Sequence, residues 1–220
     1  MRAVAARIRR GRRAGESGFS LIELIVAMGI FTIFIAVFLT AVVSLTRATT
    51  QARVTAESAS GALVVFQNID RQVRYADSIN YPGPGVATGG RYIEFRTPAS
   101  SMPTGLTTCT QWRYLPSKKR IEFRRWVDTA GSVASQWSTK LTNVIEKPDA
   151  GYPFALLPAT STARQQLVLS LDAGTAGTSG ATSISTTFVA RNSSDGSPSN
   201  AVAGNGQSAT PVCNRTDFRP

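Results

Sequence analysis

The side chains of this 220-residue chain that could do chemistry fall in three places. Glu23 is embedded in FSLIELIVAMGIF, at the lip of an apolar run. A carboxylate there is costly unless a positive group neutralises it, and the stretch itself holds none. Cutting the chain between Gly18 and Phe19 would create one: a new α-amino group four residues before Glu23. That amine could pair with its own Glu23 or with Glu23 of a neighbouring copy. Cys109 and Cys213 could form a disulfide or remain free thiols. Trp112, Arg113, Tyr114, Lys118, Lys119, Arg120, Arg124, Arg125 and Trp126 interleave bases with aromatics, a pattern that suits a polyanion such as single-stranded nucleic acid. The chain has no histidine, which removes Ser-His-Asp and Cys-His catalysis and every His-ligated zinc or haem site. Two cysteines are too few for a cysteine-only zinc site. No metal or cofactor is expected.

The element that must position Glu23 is the run from 24 to 43, LIVAMGIFTIFIAVFLTAVV, with no charge between Glu23 and Arg47. Twenty mostly apolar residues make a helix of about 30 Å, the hydrocarbon thickness of a bilayer. Six arginines precede it (Arg2, Arg7, Arg9, Arg10, Arg12 and Arg13), so residues 1–18 carry +5 of the formal +11. After position 43, only Arg47 and Arg53 are basic before residue 70. This asymmetry keeps the N-terminus cytoplasmic and exports the remainder. A nucleic-acid arm and a twin-arginine export signal are weaker readings of the arginine run. A cleaved secretory signal would have a core of about 7–15 residues and small residues just after it. Here the apolar run is longer, and SLTRATTQA beyond it offers no clear A-x-A.

The residues Gly18-Phe19-Ser20-Leu21-Ile22-Glu23, after a basic leader and before an apolar helix, resemble the cleavage and methylation signature of type IV prepilins and type II secretion pseudopilins. The resemblance covers about 30 residues. It implies that a membrane-embedded prepilin peptidase cuts after Gly18 and N-methylates Phe19. It also implies that Glu23 acts in assembly by charge pairing with a neighbouring subunit. Many major pilins carry a proline about twenty residues into the mature helix; Thr40 stands at the matching position here. That departure favours a minor pilin or pseudopilin over a major subunit.

Beyond the span, Ala59, Leu63, Phe66, Ile69, Val73 and Ala76 recur at spacings of three and four, predicting one apolar helix face. Asn80-Tyr81-Pro82-Gly83-Pro84-Gly85 should stop the helix, placing it from about residue 21 to 79. Alternating runs at 91–97, 110–115, 121–127, 141–145, 166–172 and 183–190 predict five or six strands. Residues 116–120 make a hairpin-like connection, and AGTAGTSGAT at 173–182 reads as a flexible loop. On the 110–127 hairpin, period-two alternation turns Trp112, Tyr114, Ile121 and Phe123 inward and leaves the other face wet. The fold class is α+β: a long N-terminal transmembrane helix packed on an antiparallel β-sheet head, which the resemblance also implies.

Residues 191–211 lack aromatics and are dominated by Ser, Gly, Asn and Ala, which predicts a mobile tail. A bond between Cys109 and Cys213 would close a loop of about 100 residues, stabilise by roughly 4–5 kcal/mol, and fasten that tail to the second sheet strand.

The expected organisation is therefore a basic leader (1–18), the transmembrane and assembly half of the first helix (19–46), its amphipathic half (47–80), a β-rich head (81–190) and a flexible tail (191–220). The expected function is a structural subunit of a type IV pilus or related filament. Its partners would be prepilin peptidase, other pilin or pseudopilin subunits and the inner membrane, crossed once with the head exported. A second reading is a minor pilin that contacts DNA through Lys118, Lys119, Arg120, Arg124 and Arg125. A third is a signal-anchored extracytoplasmic protein. An enzyme is disfavoured, since the chain has few acidic residues and no G-x-S-x-G motif.

Overall fold

The computed structural model describes residues 18–149, 151–174, 181–214 and 218–220. The expected leader therefore lies almost wholly outside the described residues, as does most of the 173–182 loop. The chain divides into two units, 1–48 and 49–220. One helix, α1 (Leu21–Arg74), contributes to both.

In the first unit every described residue is exposed. The side chains are almost all apolar, so the helix there owes nothing to a core of its own. Three of its threonine hydroxyls are closed internally. The hydroxyls of Thr32, Thr40 and Thr46 each donate to the carbonyl four residues back (Met28, Ala36 and Val42) at 2.8–2.9 Å.

In the second unit the buried residues of α1 are Ser58, Ala62, Val65, Ile69 and Val73. This stripe shares Ile69 and Val73 with the expected face but differs in phase before them: Leu63 is 56% exposed, while Ala62 and Val65 are buried. Residues 62–66 are all apolar, so periodicity alone could not select the face. Gly61 faces a neighbouring strand, where an added Cβ would meet Leu141 Cδ1 at 2.9 Å; the glycine lets that strand approach. The helix stops at Arg74, five residues earlier than expected. The Arg74 carbonyl accepts from the Arg191 N–H at 3.1 Å, and the Tyr75 carbonyl accepts from the Asn192 amide at 2.9 Å. Residues 78–79 are instead recruited into a sheet, and strand pairing overrides helix propensity there.

The head holds two antiparallel sheets rather than the expected single one. The larger contains β1 (Ser78–Ile79), β2 (Gly83–Pro84), β3 (Arg91–Thr97), β4 (Thr108–Leu115), β5 (Arg120–Val127) and β6 (Ser138–Leu141). Its order is β1-β3-β4-β5-β6, with β2 also on β3. The smaller is β7-β8-β9, from β7 (Phe154–Leu157), β8 (Gln166–Ala173) and β9 (Thr182–Val189). β7 was not expected: four residues inside GYPFALLP give too short a run to register. One apolar core joins α1 to both sheets, through Ile69, Val73, Ile93, Trp112, Leu167 and Leu169 among others. Trp112 Nε1 donates to Gln72 Oε1 at 2.9 Å, so the largest core side chain keeps its polar atom satisfied. Tyr152 donates to the Ile145 carbonyl at 2.6 Å, and burial pushes its phenol up to about 12.

The segment from 191 onward is not a mobile tail over its described residues. Ser193, Ser197, Ser199, Asn200, Ser208 and Arg219 are all buried. Ser197 Oγ donates to the Asp77 carbonyl at 2.7 Å and Ser199 Oγ to the Ile79 carbonyl at 2.6 Å. The Asn80 side chain pairs with Val212 as a strand would, donating to its carbonyl and accepting from its N–H, both at 2.9 Å. Gln165, fully buried before β8, accepts from the Ile79 N–H at 2.7 Å. It donates to the Ile79 carbonyl, Ser199 Oγ and Asn200 Oδ1. Short polar side chains order this segment where apolar ones are scarce.

Candidate functional site: the N-terminal segment

Gly18, Phe19 and Ser20 precede the helix and are exposed. A Cβ on Gly18 would meet nothing within 4 Å, and Phe19 is 84% exposed. The peptide between Gly18 and Phe19 is thus extra-helical and accessible, the condition a peptidase needs. The first helical bond runs from the Leu24 N–H to the Ser20 carbonyl at 3.1 Å. Glu23 lies in the first turn, where a carboxylate is favoured by the unsatisfied N–H groups and the positive end of the helix dipole. The same end is where a terminal amine would stand after a cut at Gly18. Behind Glu23 the exposed surface is apolar, from Leu24 to Leu45, in a helix long and apolar enough to cross a membrane.

The other predicted site residues lie in the second unit, where the fold joins one pair and disperses the basic cluster. Cys109 and Cys213 form a disulfide, with Cα atoms 5.6 Å apart, tying β4 to the C-terminal segment. Trp126 and Val212 pack around it. The five basic residues of the 118–125 hairpin do not form one patch. Lys118, Lys119 and Arg125 are exposed. Arg120 instead pairs with Glu122 Oε1 at 2.6 Å. Arg124 is buried and donates to Gln111 Oε1 at 2.7 Å.

The reason is that the second face of the larger sheet, expected to be wet, is covered. Glu94, Gln111 and Arg124 lie side by side in register, as do Tyr92, Arg113 and Glu122. Arg113 pairs with Glu122 at 2.6 Å. Trp137 lies 3.8 Å from the Arg113 guanidinium and 4.5 Å from that of Arg124. Arg219 closes the layer, donating to both Glu94 oxygens at 3.0 and 2.7 Å. Sequence alternation marked Arg113 and Arg124 as outward-facing correctly. It could not show that the C-terminal segment and Trp137 would lie over them. Glu94 and Arg219 were missed altogether; the signal is a lone acid set between Ile93 and Phe95 in the strand RYIEFRT. Among the described residues no group of three His, Cys, Asp or Glu side chains converges to hold a metal.

A long N-terminal apolar helix packed through its second part on antiparallel sheets is an α+β, pilin-like arrangement. Residues 13–44 match the family model described as the prokaryotic N-terminal methylation motif, and Gly18, Phe19 and Glu23 all fall inside that match. Motif, helix and head together fit a type IV pilin-like protein. No curated protein and no solved structure matches the chain.

Proposed function

We propose that the chain is a minor pilin or pseudopilin precursor, a structural subunit rather than a catalyst. Prepilin peptidase cuts it between Gly18 and Phe19 and methylates the new Phe19 amine. The apolar helix holds the subunit in the inner membrane with its head exported, and then packs against other subunits in a filament. The observation that carries this reading is a methylation motif lying directly on an exposed apolar helix. A helix with lipid-like side chains on every face needs either lipid or copies of itself around it. Leaving Glu23 unpaired among such helices would cost several kcal/mol, so its pairing sets the register between subunits. Thr40, in place of a kinking proline, supports the minor-subunit assignment; its hydroxyl is closed on Ala36 and the helix runs on without interruption.

Terminal-residue mass spectrometry of the protein from its producing cell tests the proposal. The expected N-terminus is N-methylated Phe19. Gly18→Leu should leave the leader attached, with cleavage reduced at least about a hundredfold, while membrane insertion continues. A native terminus at Met1 overturns the proposal.

A further inference from the structure

We propose that the head carries a binding cleft for a small oxyanion, a phosphate or carboxylate on a compact hydroxylated body, held by Arg71 and Arg125. The cleft follows from where α1 ends. Phe95, Trp112 and Phe123 belong to or pack against the core joined to the helix. Two residues further along the same faces the side chains turn polar: Thr97 after Phe95, Thr110 before Trp112, and Arg125 after Phe123. Thr110 stands opposite Arg125, and Thr108 opposite Thr97, in strand register. Thr97, Thr108 and Thr110 are only 5%, 8% and 5% exposed, so hydroxyls occupy places where the core pattern calls for apolar groups. With α1 finished at Arg74, no helix side chain fills the space above them. A cavity of about 480 Å³ remains, within the usual range for small-ligand sites.

Its charge is one-sided. Arg71 from α1 and Arg125 from β5 both line it, and none of its lining residues is acidic. The nearest acids along the chain from Arg71 are engaged elsewhere: Asp70 with Arg74, and Asp77 with Arg96. Arg71 touches the neutral amide of Asn68 at 3.4 Å, leaving most of its donors for a ligand. Three polar wall groups are already fixed in place, Gln72 by Trp112, Ser101 by Asn192, and the Thr108 hydroxyl by donation to the Leu106 carbonyl at 3.0 Å. Guanidinium forks recognise phosphate and carboxylate through paired hydrogen bonds. The Thr97 and Thr110 hydroxyls and the half-exposed Tyr75 at the wall suit a hydroxylated ring better than a bare ion. The cleft lies wholly within the second unit, 49–220, so it stands whether or not the chain polymerises.

Calorimetric titration of the full chain in detergent micelles at low ionic strength tests this, with glucose 6-phosphate, glucuronate and uncharged glucose as probes. One saturable site for at least one charged sugar is expected, with no binding of glucose; which sugar binds separates phosphate from carboxylate. Arg125→Ala and Arg71→Ala should each weaken that binding by about tenfold or more, the loss of a charge-assisted hydrogen bond. Both residues are exposed, so unchanged melting temperatures will show that the fold is intact. A Lys118→Ala/Lys119→Ala variant, which removes twice the charge of either arginine substitution from the turn before β5, should bind as the parent does. Absence of a saturable site, equal binding of glucose, or equal weakening by the two lysine substitutions overturns the proposal.

Discussion

Residues 18–48 and residues 49–220 solve the problem of polar and apolar groups in opposite ways. In the first unit, apolar side chains face outward on all sides, and threonine hydroxyls close on the backbone. In the second, carboxylates and guanidiniums are taken inside and answered by other side chains, as in the row formed by Glu94, Gln111, Arg124 and Arg219. The head supplies its own partners; the N-terminal helix leaves its partners to lipid or to other chains. Glu23 is the acid of the first unit, set at the start of an uncharged run that reaches to Arg47, and that makes it the residue on which the contrast turns.

The largest effect is expected from Glu23→Val. It removes the acid at the start of the apolar run, so membrane residence should persist while incorporation into filaments falls at least about tenfold. Immunoblots of sheared filaments against the membrane fraction will measure it, and normal incorporation would break the comparison at its pivot. Next comes Cys109→Ser/Cys213→Ser, which opens a loop spanning 104 residues. Chain entropy predicts a loss of about 4–5 kcal/mol in urea unfolding of the full chain in micelles. A loss under about 1 kcal/mol would mean that hydrogen bonds alone hold the C-terminal segment. Arg219→Ala should be comparable or somewhat smaller, about 3–5 kcal/mol, because it strands the buried Glu94 carboxylate. Glu94→Gln combined with Arg219→Met should recover much of that loss. If it does not, the head depends on this ion pair itself rather than on avoiding an unpaired charge.

The N-terminal unit was legible because its chemistry is local. Six consecutive residues and the uncharged run behind them specify a membrane-length helix with one acid at its start. Strand β3 was legible to the residue for a similar reason, since RYIEFRT is rich in aromatic and β-branched residues and is bounded by Gly90 and Pro98. What escaped was set by distant parts of the chain. The phase of the buried stripe on α1 depended on which of five adjacent apolar residues met the sheet. The covering of Arg113 and Arg124 depended on Trp137 and on residues about a hundred positions later. The 191–220 segment was misjudged because counting apolar residues ignores what serine and asparagine do once neighbouring backbone groups need partners. Ser197, Ser199 and Asn200 earn their burial one hydrogen bond at a time.

Gln165 gives the head a property that neither sheet has alone. Its amide imitates a strand neighbour for Ile79, at the edge of the larger sheet, while its own backbone leads into the smaller one. The same amide reaches Ser199 and Asn200 in the final segment. Three stretches of chain, far apart in order, are therefore riveted at a single point. Loosening any one of them exposes the unmet bonds of the other two, so the head should yield to denaturant in one concerted step rather than peel apart sheet by sheet.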